Sequence, residues 1–273
     1  MLPGGRVDLT ARNQTYADYM TTRVIVTAAA SGIGRVTAEA FQAQGASVHI
    51  CDVDEAALER CRAENPGLKA TRVDLADAGA IDGWLTAALG DLGGVDVLVN
   101  NAGIKGPTAF VEDVSVAEWR ESLTVSLESH FVTARRVAPI MKAQQQGSII
   151  NLSSTAGLAG FGLRTPYAAA KWAVIGLTKS LAIELGPHNV RCNCICPGSV
   201  RGARMEHVAT TEATERGITP EEVLAEYVNG QSIKRFVEPA EIAALCLFLA
   251  SPAASMITGQ ALTVDGHSET FHI

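Results

Sequence analysis

The chain has 273 residues, 47% apolar and 19% charged, with a net charge of −7. That composition supports a sizeable core and excludes an intrinsically disordered chain. The acidic balance excludes the basic field that nucleic acid or an anionic membrane requires, and no apolar run of about 18 residues marks a membrane span.

Residues 1–20 are polar and lack the apolar segment of a signal peptide. They read as an N-terminal extension of a cytoplasmic protein. From Arg23 onward, short apolar runs alternate with helix-length stretches. The runs are Val24–Val26, Val48–Ile50, Val95–Val99, Ser148–Leu152 and Val190–Cys196. They are nearly unbroken, as expected of parallel strands covered on both faces. Segments of helical period lie between them, notably Gly34–Gln44, Glu55–Glu64 and Val116–Gln144. Strand–helix repetition at this spacing predicts a doubly wound parallel α/β sheet with right-handed crossovers, as one domain over residues 21–273.

The six cysteines are too few for a disulfide framework in a chain of this length. Cys192, Cys194 and Cys196 alternate along one strand and so share a face. A thiolate metal site needs ligands converging from several elements. These three are expected instead to pack beneath a helix as small apolar residues.

Ser199 to Arg235 breaks the strand–helix rhythm. It is polar, yet Thr219-Pro220-Glu221-Glu222 is a helix start, with Thr219 as cap, Pro220 at the first position and Glu222 completing a capping box. A helical insertion late in a sheet, over residues 199–235, is expected to serve as a substrate lid.

Two places carry chemistry. After the first strand comes Thr27-Ala28-Ala29-Ala30-Ser31-Gly32-Ile33-Gly34, and then a helix begins. Small residues there let the backbone approach a pyrophosphate, which the positive end of the helix attracts. The second strand ends at Asp52, about twenty residues on, where a carboxylate accepts both ribose hydroxyls and repels a 2′-phosphate. Ser31 offers no basic compensation, and Arg35 lies beyond the loop.

The second place follows the strand Ser148–Leu152, which runs into Ser153-Ser154. Thirteen residues later comes Tyr167-Ala-Ala-Ala-Lys171. Thr165 and Pro166 read as cap and first position of a helix, so Tyr167 and Lys171 share a face one turn apart. A free tyrosine titrates near 10. An ammonium one turn away favours the phenolate and brings it toward the range of a working base. Ser154 can donate a hydrogen bond to a substrate oxygen.

With these motifs the sequence resembles the short-chain dehydrogenase/reductase superfamily in its compact single-domain form, over about residues 21–266. The matching stretches are Thr27–Gly34, Val73-Asp74-Leu75, Asn100-Asn101-Ala102-Gly103, Ile150–Ser154, Tyr167–Lys171, Asn193 through Pro197-Gly198, and Gly259-Gln260 through Val264-Asp265-Gly266. The resemblance implies a Rossmann fold, a nicotinamide cofactor and hydride transfer between an alcohol and a ketone. Tyr167 would be the acid/base, Ser154 would orient the substrate oxygen, and Lys171 would hold the nicotinamide ribose and tune Tyr167. Thr27, Ser31, Gly32, Ile33 and Gly34 would surround the pyrophosphate, and Asp52 would select NAD. Asp74 and Leu75 would face the adenine, with Asn100, Asn101, Ala102 and Gly103 along the ribose side. Pro197, Gly198 and Val200 would border the carboxamide. It also implies a homotetramer with a small-molecule substrate and no metal.

The sequence departs from the family pattern three times. Ala28 stands where the phosphate loop has its first glycine. Ser126 stands where the fourth catalytic residue is an asparagine that helps hold a water beside the lysine. Gly202 stands where a threonine contacts the nicotinamide. Beyond Pro197-Gly198, Arg201 and Arg204 point to an anionic substrate, with Arg164 just before the catalytic helix. A guanidinium there suits a carboxylate, as in a small hydroxy acid or sugar acid. The alternative for these arginines is pairing with carboxylates of the lid or with the pyrophosphate. Other readings of the whole chain are an NADPH-type carbonyl or 3-oxoacyl reductase, a non-catalytic nucleotide-binding scaffold, or an epimerase or dehydratase. The last needs a larger C-terminal substrate domain than this chain provides.

Overall fold

The structure, a computed structural model, describes residues 22–268. The extension expected over residues 1–20 lies outside them. Among the described residues the strands are β1 (Arg23–Val26), β2 (Ser47–Asp52), β3 (Lys69–Arg72), β4 (Val97–Asn100), β5 (Gly147–Leu152), β6 (Val190–Pro197) and β7 (Ala261–Val264). The α-helices are α1 (Gly32–Ala43), α2 (Glu55–Glu64), α3 (Ala78–Leu92), α4 (Val116–Leu123), α5 (Ser129–Gln144), α6 (Thr165–Leu185), α7 (Ala203–Arg216), α8 (Pro220–Asn229) and α9 (Pro239–Ala250).

The strands form one parallel sheet in the order β3-β2-β1-β4-β5-β6-β7. The expected doubly wound sheet is therefore present. The two-residue period of a strand sends alternate side chains to opposite faces, and both faces are covered. Val24 and Val26 pack with Phe41, Leu58, Ile242 and Leu249 on one side. Ile25 packs with Trp84, Leu85, Val137 and Met141 on the other. Chain order reverses between β1 and β4, which opens a crevice at their carboxyl ends.

Side-chain caps fix several helix starts. Asp54 accepts from the Ala57 N–H and Asp77 from those of Gly79 and Ala80. The capping box expected at Thr219 and Glu222 is formed, at 3.2 and 2.8 Å. The Ser199–Arg235 segment holds a second helix, α7, which a polar sequence without a capping signal concealed. The cap expected at Thr165 is not formed: Thr165 is already helical, Arg164 occupies the cap position, and no side chain caps α6.

The single helix expected over Val116–Gln144 is also corrected. A π-type turn at Thr124–Glu128 separates α4 from α5. All six cysteines are buried free thiols. Cys192 faces the α3–α5 side of the sheet, and Cys194 and Cys196 lie against Ile175 of α6.

Candidate functional site

At the β1 end, the helix start that would meet a phosphate carries no side-chain cap, since the hydroxyl of Ser31 makes no capping bond. The first N–H groups of α1 are thus left for an anion, as a helix N-terminus favours. Thr27 accepts from the N–H groups of Asn101 and Ala102 through Oγ1, at 3.0 and 3.2 Å. The Asn101 amide returns a bond to the Ala28 carbonyl at 2.7 Å. This ties the loop after β1 to the loop after β4. Gly34 permits the approach, because a Cβ there would lie 2.5 Å from Asn101 Nδ2 and 2.7 Å from the Ala28 oxygen. Ala28 has φ +50°, in the left-handed region that glycine tolerates best.

The carboxylate of Asp52 accepts from the Ala30 N–H at 3.0 Å and the Asp54 N–H at 3.1 Å. It faces the crevice from the end of β2. Arg35 is turned away, ion-paired with Glu39 and Glu64.

A cleft of about 400 Å³ lies over the carboxyl ends of the strands. Ser31, Gly32, Ile33, Asp52, Asn101, Gly103, Ser154, Tyr167, Lys171, Pro197, Gly198 and Val200 all line it, as do Arg164, Arg201 and Arg204. Thr27, Gly34, Ala102, Asp74, Leu75 and Ser126 do not. The first three act from behind the loops. Asp74 caps its own turn by accepting from Ala76 N–H, and Leu75 belongs to the core beside α3. Ser126 is fully buried in the π-type turn and accepts from the Ile104 N–H at 3.2 Å.

Tyr167 and Lys171 stand one turn apart on α6, with Nζ 5.8 Å from the phenol ring centre. Nζ donates to the Leu152 carbonyl at 2.7 Å, which anchors it at the end of β5. Gly157 lets the loop carrying Ser154 press against α6, since a Cβ there would meet the Lys171 carbonyl at 2.7 Å. Ser153 fixes the same junction through Oγ, donating to that carbonyl at 2.8 Å. Burial alone would push the Tyr167 phenol up. The charges of Lys171, Arg204 and Arg164 and a hydrogen bond with Ser154 outweigh it and hold the phenol below its usual value. Burial, assisted by the charge of Arg204, lowers Lys171 to about 8.

Of the three candidate arginines, Arg201 is exposed at the rim, 2.8 Å from Glu238 and stacked near Phe236. Its partner is a carboxylate at the start of α9. Arg204 donates to the Gly103 carbonyl at 3.0 Å. Arg164 is buried, its guanidinium 5.1 Å from the Tyr167 ring centre, and it donates twice to the Lys105 carbonyl. Sequence reasoning missed Lys105, which donates from Nζ to Thr211 of α7 at 3.1 Å. It also missed Tyr227 of α8, which lines the cleft and donates to Glu212 at 2.9 Å. A cation in an irregular loop and an aromatic in a polar helix carry no local signal.

The family model described as enoyl-(acyl carrier protein) reductase matches residues 27–266. The chain is 40% identical over 253 residues to trans-4-hydroxycyclohexanecarboxylate dehydrogenase of Sinomonas cyclohexanicum, covering 89% of this chain and 90% of that protein. It superposes on NAD+-bound xylitol dehydrogenase with a TM-score of 0.87 at 28% identity, covering 92% of this chain and 100% of that one. It superposes equally on a variant actinorhodin polyketide ketoreductase with NADPH, TM-score 0.87 at 29% identity, covering 92% and 98%.

Proposed function

The chain belongs to the short-chain dehydrogenase/reductase family, oxidoreductases that act on CH–OH groups, and we propose that it is an NAD(H)-dependent dehydrogenase interconverting a secondary alcohol and a ketone on a small anionic substrate. The observation that carries this reading is the convergence of Tyr167, Lys171 and Ser154 on a cleft rimmed by Arg164 and Arg204.

In this reading the residues of the cleft fit a dinucleotide. The uncapped start of α1 would take the pyrophosphate, with Thr27, Gly34 and Ala102 supporting the loops from behind. Asp52 would take the adenosine ribose, with Asp74 and Leu75 at the adenine end. Asn101, Gly103 and Lys171 would take the nicotinamide ribose, and Pro197, Gly198 and Val200 the carboxamide. The bound nicotinamide supplies the hydride acceptor or donor. Tyr167, as phenolate, takes the proton of the substrate hydroxyl during oxidation and returns it during reduction. Ser154 orients the substrate oxygen, and Lys171 keeps the phenol acidic. Ser126 would act from behind Lys171.

NAD is preferred to NADP in this reading because Asp52 would repel a 2′-phosphate, and Arg35, engaged by Glu39 and Glu64, offers it no partner. The NADPH complex of the related ketoreductase favours a second reading, an NADPH-dependent carbonyl reductase. Asp52 argues against it.

Arg204 and Arg164 donate to carbonyls, and neither guanidinium is held by a carboxylate among the described residues. Together they make one end of the cleft cationic, which suits a carboxylate. Arg201 is held at the rim by Glu238. The relative that acts on a hydroxycyclohexanecarboxylate supports the same class, as does the D-β-hydroxybutyrate dehydrogenase of Rhizobium meliloti (strain 1021), 34% identical over 256 residues. The α7–α8 segment, tied to the cleft through Lys105 and Thr211, would be the substrate lid of a single domain. None of the described helices is long and apolar enough to cross a membrane. A cytoplasmic homotetramer is the expected form, and the exposed Phe131 and Trp172 support self-association. Incubation with NAD+ and a panel of hydroxy acids, matched esters and neutral alcohols, read by NADH absorbance, tests the assignment. Turnover with NADP+ only, or with no alcohol, overturns it.

A further inference from the structure

The two ends of the cleft differ in chemistry. Asp52 and Asn101 line it at the ends of β2 and β4, where the dinucleotide is read to lie. Among the described residues, no other side-chain carboxylate or carboxamide lines the cleft. The end that holds Arg164 and Arg204 is walled instead by Phe161, Met205, Val208 and Tyr227, all half-buried. The Phe161 ring centre lies 5.4 Å from the Arg164 guanidinium. Met205 and Val208 follow Arg204 on α7, and Val208 stands one helical turn from it.

Tyr227 is the polar member of these walls, and its hydroxyl is spent. It donates to Glu212 at 2.9 Å, while Arg216 holds the other oxygen of that carboxylate at 2.8 Å. Glu212 is close enough for its charge to act on Arg164, yet it does not line the cleft. Tyr227 thus shows the cleft its ring and keeps Glu212 engaged behind it. Thr155 gives its hydroxyl proton to the Pro197 carbonyl at 3.3 Å. Two carbonyls of the loop after β4 are taken as well, that of Gly103 by Arg204 and that of Lys105 by Arg164. What remains for a ligand is two guanidinium groups, the reacting pair Tyr167 and Ser154, and apolar surface.

That inventory bears on what can carry the anionic group. A hydroxyl buried without an acceptor forfeits the hydrogen bond it made in water. Taking up several such protons falls chiefly to carboxylate and carboxamide oxygens, which this end lacks. A hydrocarbon body gains instead by covering the four walls.

We propose that the substrate is a carboxylate on a hydrocarbon body whose only hydroxyl is the reacting one, and that the walls Phe161, Met205, Val208 and Tyr227 turn away sugar acids and other polyhydroxy acids. The proposal rests on the reading of Tyr167, Arg164 and Arg204 above. The arginines select the charge, and the walls select what carries it.

Matched probes test this. Hydroxycyclohexanecarboxylate, as its 3- and 4-hydroxy isomers, shares a ring and a carboxylate with quinate, which adds further hydroxyls. The better monohydroxy acid is expected to exceed quinate in kcat/KM by about hundredfold or more. A ratio near one, or a preference for quinate, overturns the proposal. Val208→Asn and Met205→Gln each bring an amide to the wall, and at least one is expected to narrow the ratio by about fivefold. A ratio that neither variant changes overturns the assignment to the walls. Titration calorimetry of the enzyme–NADH complex gives the comparison without turnover. Cyclohexanecarboxylate is expected to bind more tightly than quinate, and equal or tighter binding of quinate overturns the proposal. Neutral probes tell its failure apart from failure of the anionic reading. If neutral alcohols outperform every acid, the anionic reading falls. A preference for cyclohexanol over myo-inositol then still sustains the apolar walls, and the reverse overturns them.

Discussion

The guanidinium of Arg164 lies 5.1 Å from the centre of the Tyr167 ring, while the Lys171 ammonium lies 5.8 Å from the same centre. Two cations on one phenol, with the charge of Arg204 added, offset the cost of burying its charged form.

Tyr167→Phe removes the acidic proton and leaves the ring in place. We expect kcat to fall by about 10²-fold or more, with NADH affinity within about threefold of wild type by fluorescence titration. Retention of a tenth of kcat would show that another group is the base.

The pH profile follows with a definite sign. Alcohol oxidation needs the phenolate, so its rate climbs as pH rises through the Tyr167 pKa, which lies below the usual value of tyrosine. Arg204 is one of the charges that lower it. Arg204→Ala should therefore move the ascending limb of kcat/KM to higher pH, lowering the neutral rate more than the alkaline one. Arg201→Ala, whose charge is taken up by Glu238, should leave the limb in place. Equal displacement by both variants contradicts the assignment.

Substrate charge is tested with the same pair. Arg204→Ala should raise KM for a hydroxy acid at least about tenfold, as loss of a charge-assisted hydrogen bond requires, and change KM for its methyl ester little. Neutral alcohols outperforming every acid in wild type, with no change in either variant, would exclude an anionic substrate.

Asp52→Ala should narrow the preference for NAD over NADP in kcat/KM by about tenfold or more, roughly the loss of one charge repulsion. Arg35→Ala should not, since that guanidinium is held by Glu39 and Glu64. An unchanged cofactor ratio in Asp52→Ala would move the discrimination elsewhere.

Ala28 keeps φ +50° at a cost of about 1–2 kcal/mol for a residue with a Cβ. Ala28→Gly should stabilise the fold by up to about 1 kcal/mol, after the greater freedom of glycine in the unfolded chain is subtracted. Urea unfolding measures this, and a loss of stability would show that the methyl group contributes packing that offsets its strain.

The sequence made the sheet legible because its central strands are apolar on both faces. It made the Tyr167–Lys171 pair legible because helical spacing is fixed. β3 left no such trace: it is an edge strand whose residues, Lys69 to Arg72, are exposed or half-buried, so no apolar run marks it. The π-type turn at Thr124–Glu128 was hidden for a related reason. One extra residue in a helical turn alters pitch without altering composition, and Val116–Gln144 reads as continuous. Arg201 and Arg204 were indistinguishable in sequence. Only the fold brings Glu238 from the start of α9 to one and the Gly103 carbonyl to the other. Lys105 and Arg164 meet across 59 residues of chain, a distance that no local pattern spans.

The buried thiols offer a use of their own. Reaction with an alkylating reagent requires the thiolate and access to it, and burial denies both to Cys51, Cys192 and Cys246 by raising their pKa. They lie on different elements, in β2, β6 and α9. Their alkylation in native buffer therefore times the opening of three separate regions without any substrate. Uniform rates would mark the sheet as one cooperative unit. A faster Cys246 would identify α9 as the first element to leave.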